Sequence, residues 1–268
     1  MKTTNFALRA TRPLAVAALV VGLALSFEAR AQTPLCDAPQ DLLRLANPLA
    51  RVAKKVASHE PLTIVAIGSS STAGAGASTP AASYPSRLAV ELKQHFPRSP
   101  IVMINRGVNG EEIADMLKRF DSAVVAAKPD LVLWQLGTNS IIRDHSLAEH
   151  VNSIHDGLMK IRATGADVVL IDPQFAPKVI AKPHAIQAVE LIANAAKRED
   201  VDLFRRYDVM KRWVEVDHIP FDISVAPDGL HLNDWSYACM AKGLGQAIAE
   251  AAQRPVISAT AQMLHYVP

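Results

Sequence analysis

What most constrains the fold of this chain is a set of five short apolar runs in which hydrophobic and polar residues do not alternate. They are "LTIVAIG" (62–68), "IVMIN" (101–105), "LVLWQLG" (131–137), "DVVLID" (167–172) and "VDLF" (201–204). A strand with one face in water alternates apolar and polar residues, whereas a strand covered on both faces is apolar throughout. Between the runs stand longer segments with helical spacing: "YPSRLAVELKQHF", "GEEIADMLKRF", "SLAEHVNSIHDGLMKIRA" and "HAIQAVELIANAAKRE", followed late in the chain by "WSYACMAKGLGQAIAEAAQ". Helix-start signals agree, with Pro85 near a first turn and Glu111 and Glu112 at an N-terminus, where acids favour the free N–H groups. Strand and helix in alternation predict a parallel sheet of about five strands between two helical layers, an α/β/α domain with right-handed crossovers. In such sheets the functional loops gather at the carboxyl ends of the strands.

The 268-residue chain has further segments around that domain. Lys2, Arg9 and Arg12 precede the 15-residue run "PLAVAALVVGLALSF", and Ala29 and Ala31 in "EARAQ" are the small residues a signal peptidase requires. The run is short for a membrane span and its flanks suit export. Residues 1–31 are therefore expected to be a cleaved signal peptide, and the mature chain periplasmic or secreted with no stable membrane anchor. Residues 32–60, apolar at Leu42, Leu43, Leu45, Val52 and Val56, read as a helical N-terminal extension. The domain itself is expected over 61–253 and a tail over 254–268. The chain has 28 Lys and Arg against 26 Asp and Glu; four of those basic residues and one acid lie in residues 1–31, leaving 24 against 25. A nucleic-acid-binding face needs a basic excess, and none remains. Cys36 and Cys239 both survive cleavage. In an oxidising compartment they can pair and tie the start of the mature chain to its last helix; two buried free thiols are the alternative.

Four loops carry polar residues: "GSSSTAG" after the first strand, "NRGVNGEE" after the second, "GTNS" after the third, and "APDGLHLN" late in the chain. Each alone is an ordinary turn. Together they supply what acyl transfer requires, namely a hydroxyl nucleophile, a base, an acid that orients the base, and donors for an oxyanion. Ser70, two residues past Gly68, falls at the strand-to-helix turn, where its N–H can point at the oxyanion. Gly110 falls at the start of the next helix, where N–H groups are free. Asn139 offers a side-chain N–H. Asp228 and His231 are three apart, so one turn of chain returns the carboxylate to Nδ1 and leaves Nε2 to face the serine. A Ser/Gly loop at a helix start can also cradle a phosphate. But "GSSSTAG" lacks the Lys-Ser/Thr of a nucleotide loop, and a flavin or phosphate site gives no role to Asn139, Asp228 or His231. His145, His150 and His155 lie around one helix, and the latter two lack the i,i+4 spacing of a metal pair, so they read as a solvated face. Trp134 reads as core.

With these residues in this order, the sequence resembles the SGNH/GDSL hydrolases, serine esterases and lipases on a flavodoxin-like α/β/α fold. The resemblance runs over nearly the whole mature chain and rests on "IGSSSTAG", "NRGVNGEE", "GTN" and "APDGLHLN". It implies that Ser70 is the nucleophile, that Gly110 and Asn139 complete an oxyanion hole with the Ser70 N–H, and that His231 and Asp228 complete the triad. It implies no metal or organic cofactor. One departure stands out: the family's Gly-Asp-Ser-Leu reads Gly68-Ser69-Ser70-Ser71 here. The replaced Asp is not a triad member, so catalysis is expected to survive, while support of the turn is altered. The implied activity is carboxylic ester hydrolysis on a small-molecule or polysaccharide-borne ester, such as an O-acetylated carbohydrate. The alternatives are a lipase- or thioesterase-type hydrolase of the same family and a non-catalytic polysaccharide- or phosphate-binding module.

Overall fold

A computed structural model of the chain describes residues 36, 38–146, 148 and 151–255, together with Met1. The rest of the expected signal peptide and the tail beyond Pro255 lie outside the described residues. The five apolar runs form five strands: β1 (Leu62–Gly68), β2 (Ile101–Gly107), β3 (Leu131–Gln135), β4 (Asp167–Ile171) and β5 (Asp202–Phe204). All neighbouring strands pair in parallel, in the order β2-β1-β3-β4-β5. Every residue of β3 and all but one of β1 are buried, whereas β2, an edge strand, is half-buried or exposed along its length. Burial on both faces, expected for every run, thus fails at that edge. The chain leaves β1 toward β2 on one side and then crosses back to β3 on the other. The loops at the carboxyl ends of β1 and β3 therefore diverge, which is where sheets of this kind hold ligands.

One group of helices, Tyr84–His95, Ala50–Ala57 and the long Asp234–Gln253, packs together; Ile113–Lys118, Val151–Ala163 and Ala185–Arg198 form a second group. Leu88 and Leu92 bury one face of Tyr84–His95 at i,i+4 spacing. Asp234–Gln253 is capped by the Asn233 side chain, which accepts from the Ser236 N–H. Trp134 is a core residue, fully buried, edge-on to Phe120 at 5.2 Å, with its indole N–H donating to Met116 Sδ at 3.3 Å.

In the segment expected to be a helical N-terminal extension, the described residues are helical in part and pack against the sheet. It forms two short helices, Gln40–Leu43 and Ala50–Ala57, and Leu43, Leu45, Leu49 and Val52 are buried in the same core as the sheet. It closes the amino ends of the strands: the Asn47 N–H donates to Asp202 at 2.8 Å, the Val52 N–H to Asp167 at 2.9 Å, and the Arg51 guanidinium to Asp130 at 2.8 Å. Burial pushes the Asp202 carboxyl up to about 6, although the Asn47 N–H and the Arg254 charge oppose it. Arg254 donates to the carbonyls of Leu45, Ala46 and Asn47, so the end of the last helix is bound to the same segment. Cys36 and Cys239 are joined as a disulfide with Cα atoms 5.0 Å apart.

Candidate active site

Ser70 opens a single helical turn, Ser70–Ala73, directly after β1. The turn is possible because residue 68 is glycine: a Cβ there would stand 2.8 Å from Gln135 Oε1 and collide with Thr72 Oγ1. Ser69 fixes the turn to β3. Its N–H and its hydroxyl both donate to Gln135 Oε1, each at 3.0 Å, and Thr72 Oγ1 donates to the same oxygen at 3.4 Å. A backbone N–H can only donate, so the carbonyl end of the amide must face Ser69; Gln135 Nε2 is left buried without a partner. On the other side, Asn105 Nδ2 donates to the Thr72 carbonyl at 2.8 Å and the Val108 N–H to the Gly68 carbonyl at 3.0 Å. The post-nucleophile loop is held too. Tyr237 donates to the Ala75 carbonyl at 2.7 Å, and the Ser78 N–H and hydroxyl donate to Asp234 at 2.7 and 2.5 Å.

The late loop supplies the next groups. Asp228 Oδ1 accepts the N–H groups of Leu230 and His231, each at 2.9 Å, and this turn folds His231 back on Asp228. Asp228 Oδ2 then lies 2.5 Å from His231 Nδ1, and His231 Nε2 lies 2.8 Å from Ser70 Oγ. Burial raises the Asp228 pKa, but the imidazole and the two backbone donors outweigh it and hold the carboxyl down at about 2. An ionised carboxylate only accepts, so Nδ1 carries the proton and Nε2 is free to take the one on Ser70. The structure thus brings Ser70, His231 and Asp228, which are 161 and 3 residues apart along the chain, into one hydrogen-bonded line.

The expected oxyanion donors are arranged differently from the sequence expectation in one respect. Gly110 does not open a helix. The helix is Ile113–Lys118, and its N-cap is Glu112, in a reciprocal box with Asp115. Gly110 sits in the preceding turn at φ +78°, a left-handed conformation that favours glycine. Among the described residues, no acceptor takes the N–H of Gly110 or of Ser70. Asn139 lies in the helix Thr138–Ile142 after β3, and one of its amide N–H groups donates to the Glu111 carbonyl at 2.8 Å. That bond ties the Gly110 turn to Asn139 and leaves the second N–H of the amide for another acceptor.

Glu112 holds the rim of these loops. It accepts from Ser140 Oγ at 2.9 Å, from Arg143 at 2.5 Å and from His145 Nδ1 at 3.1 Å. His155 and His184 pair with acids on the surface, with Glu199 and Asp144 respectively, and His150 lies outside the described residues. Among the described residues no group of three or more His, Cys, Asp or Glu is placed to hold a metal. Gln135 and Gln174 are the residues around the site that the sequence did not single out for a role, and Glu112 was read there only as a helix-start signal. The partners of the two glutamines lie 32 to 66 residues away, so no local motif marks them.

Comparison with known proteins places the chain in a family. The model of a family described as the non-GDSL lipase-like family matches residues 35–254. An acetylxylan esterase of Geobacillus stearothermophilus is 32% identical over 56 residues, a segment covering 21% of this chain and 26% of that protein. Among solved structures, a two-domain esterase active on acetylated mannans superposes with a TM-score of 0.68 at 20% identity, over 81% of this chain and 57% of its own. TesA superposes at 0.60 and 21% identity over 70% and 99% of the two chains. A variant of an acetyl-xylooligosaccharide esterase from Geobacillus stearothermophilus superposes at 0.59 and 18% identity, over 70% and 94%. This chain thus spans about a quarter of the curated relative and little more than half of the mannan esterase. A family whose description excludes the GDSL signature also suits Gly68-Ser69-Ser70-Ser71. The chain belongs to the non-GDSL lipase-like family, and with it to the SGNH/GDSL hydrolases that its loops resemble.

Proposed function

We propose that the chain is an exported serine esterase that hydrolyses carboxylic esters, with O-acetyl groups on carbohydrate as its substrate class. The observation that carries this is the line from Asp228 through His231 to Ser70, at 2.5 and 2.8 Å, at the end of β1. His231 takes the proton of Ser70 as Oγ attacks the acyl carbon, and the ionised Asp228 stabilises the imidazolium that forms. The N–H groups of Ser70 and Gly110 and the free amide N–H of Asn139 bind the oxyanion. His231 then protonates the departing alcohol, which leaves an acyl-Ser70. It next deprotonates a water that attacks the acyl carbon, and its proton returns to Ser70 as the acid is released.

Support for the substrate class comes from the relatives described as acting on acetylated xylan, xylo-oligosaccharides and mannans. Support for export comes from the basic head and apolar run of residues 1–31 and from the Cys36–Cys239 disulfide, a bond typical of oxidising compartments. The test is hydrolysis by the purified mature chain of p-nitrophenyl esters from two to sixteen acyl carbons, beside acetate release from O-acetylated manno- and xylo-oligosaccharides. The expected result is a preference for acetyl over long acyl groups and acetate release from at least one glycan. Rates that rise with chain length would replace the carbohydrate reading with a lipase-type one. No turnover of any ester would remove the esterase reading and leave a binding module.

A further inference from the structure

Three residues after β4, Gln174 is buried at 1% exposure and makes three polar contacts. Its Oε1 accepts from Thr138 Oγ1 and from Arg206, both at 2.9 Å, and its Nε2 donates to the Leu230 carbonyl at 3.1 Å. The orientation of the amide follows from its partners. Arg206 has only donors and the Leu230 carbonyl only accepts, so the oxygen must face the arginine and the NH2 the carbonyl. Arg206, also buried at 1% exposure, is anchored by its Nε to the Asp172 carbonyl at 2.9 Å. Thr138 is the neighbour of Asn139, and Leu230 is the neighbour of His231. One side chain therefore joins the helix that carries an oxyanion donor to the turn that carries the base, and Arg206 pins it to the sheet.

We infer that Gln174 is a positioning residue of the active site, whose amide sets the distance between the Asn139 helix and the His231 turn. The inference rests on the esterase reading above, because it needs His231 and Asn139 to act on one reacting carbonyl. Among the described residues no other side chain donates to the Leu230 carbonyl, while the outer part of the turn has its own supports: the Gly229 carbonyl accepts from the Lys178 N–H at 3.0 Å, and Val225 bridges Leu232. Loss of the Gln174 link is thus expected to leave the turn folded and to let His231 drift. Catalytic geometry is sensitive to displacements of about 1 Å, which can cost on the order of a hundredfold in rate.

The test uses Gln174→Glu, Gln174→Met, Thr138→Val and Thr138→Ser in the full mature chain. Gln174→Glu keeps the acceptor for Arg206 and Thr138 but sets a carboxylate oxygen against the Leu230 carbonyl. Gln174→Met removes every polar contact and risks the fold, which is why the glutamate variant is needed. With p-nitrophenyl acetate, Gln174→Glu is expected to lose about 10- to 100-fold in kcat with KM within about twofold and Tm close to that of the wild type. Thr138→Val is expected to lower kcat, and Thr138→Ser, which keeps the hydroxyl, to restore it. Wild-type kcat in Gln174→Glu, or a loss of activity that merely follows a loss of folded protein in all variants, would overturn the inference. Failure of the parent reading looks different: the wild type itself would neither turn over esters nor be labelled at Ser70.

Discussion

Gln135→Leu removes the acceptor that holds the nucleophile's turn, and the structure gives the size of the effect. In the wild type one oxygen takes the N–H and the hydroxyl of Ser69 at 3.0 Å and the Thr72 hydroxyl at 3.4 Å, and Ser69 is 2% exposed. With Leu in place, the buried N–H and hydroxyl of Ser69 lose their partner, each at a cost of about 1–3 kcal/mol. Thr72 keeps the Tyr84 hydroxyl at 3.2 Å and costs little. Against this, Gln135 Nε2 is already buried without a partner, so its removal relieves about 1–3 kcal/mol. The net expectation is a loss of about 1–3 kcal/mol, or roughly 2–12 °C in Tm for a domain of this size. The mechanism is tested by a double-mutant cycle with Ser69→Ala, followed by urea unfolding. Ser69→Ala should cost about 1 kcal/mol in the wild type but recover about 1–3 kcal/mol beside Gln135→Leu, since it then removes a hydroxyl left buried without a partner. Additive losses, or Gln135→Leu as stable as the wild type, would refute the argument that the amide holds this turn.

The Cys36–Cys239 bond closes a loop of 203 residues' separation, worth about 5 kcal/mol in the chain-entropy model. Thermal unfolding of Cys36→Ala/Cys239→Ala should show Tm lowered by about 10–20 °C, and a change below about 2 °C would contradict the value. Burial pushes the Asp172 carboxyl up to about 7 against the Tyr207 N–H and the Arg206 charge. With an unfolded value of about 3.9, its contribution to stability is fully present below about pH 4 and lost as pH rises through about 7. Asp172→Asn keeps the acceptor for Tyr207, so its stability curve should lack up to roughly 1.4 kcal/mol per pH unit of that decline; parallel curves would count against it. For activity, Asp228 at about 2 stays ionised over the working range, so its protonation should add no step to the acid limb of kcat/KM above about pH 3, and the limb should have unit slope. A slope of two would show that a second group must lose its proton.

The sheet was legible because a strand buried on both faces is largely apolar, and the three central strands β1, β3 and β4 show it; β2 is apolar too, although it lies on an edge, so burial alone does not explain its composition. Ser70, Asp228 and His231 were legible because their chemistry restricts residue type and the Asp-to-His turn is local. The helix start near Gly110 was misplaced by three residues because the N-cap is Glu112, which is not among the residues that usually mark a cap. Residues 40–57 showed amphipathic spacing, but their role as the floor of the sheet depends on hydrogen bonds to Asp167 and Asp202, more than a hundred residues away. Spacing reports which face is apolar and carries nothing about what that face meets. The same holds for Gln135 and Gln174, whose amides are specified by distant partners.

The measurement that tests the central claim most directly is mass-spectrometric mapping of a fluorophosphonate probe on the mature chain, run beside Ser69→Ala, Ser70→Ala and Ser71→Ala. The account predicts a single adduct on Ser70, retained in Ser69→Ala and Ser71→Ala. It also predicts that Ser70→Ala is folded, unlabelled and without esterase activity. An adduct on Ser69 or Ser71, or wild-type hydrolysis by Ser70→Ala, would contradict it.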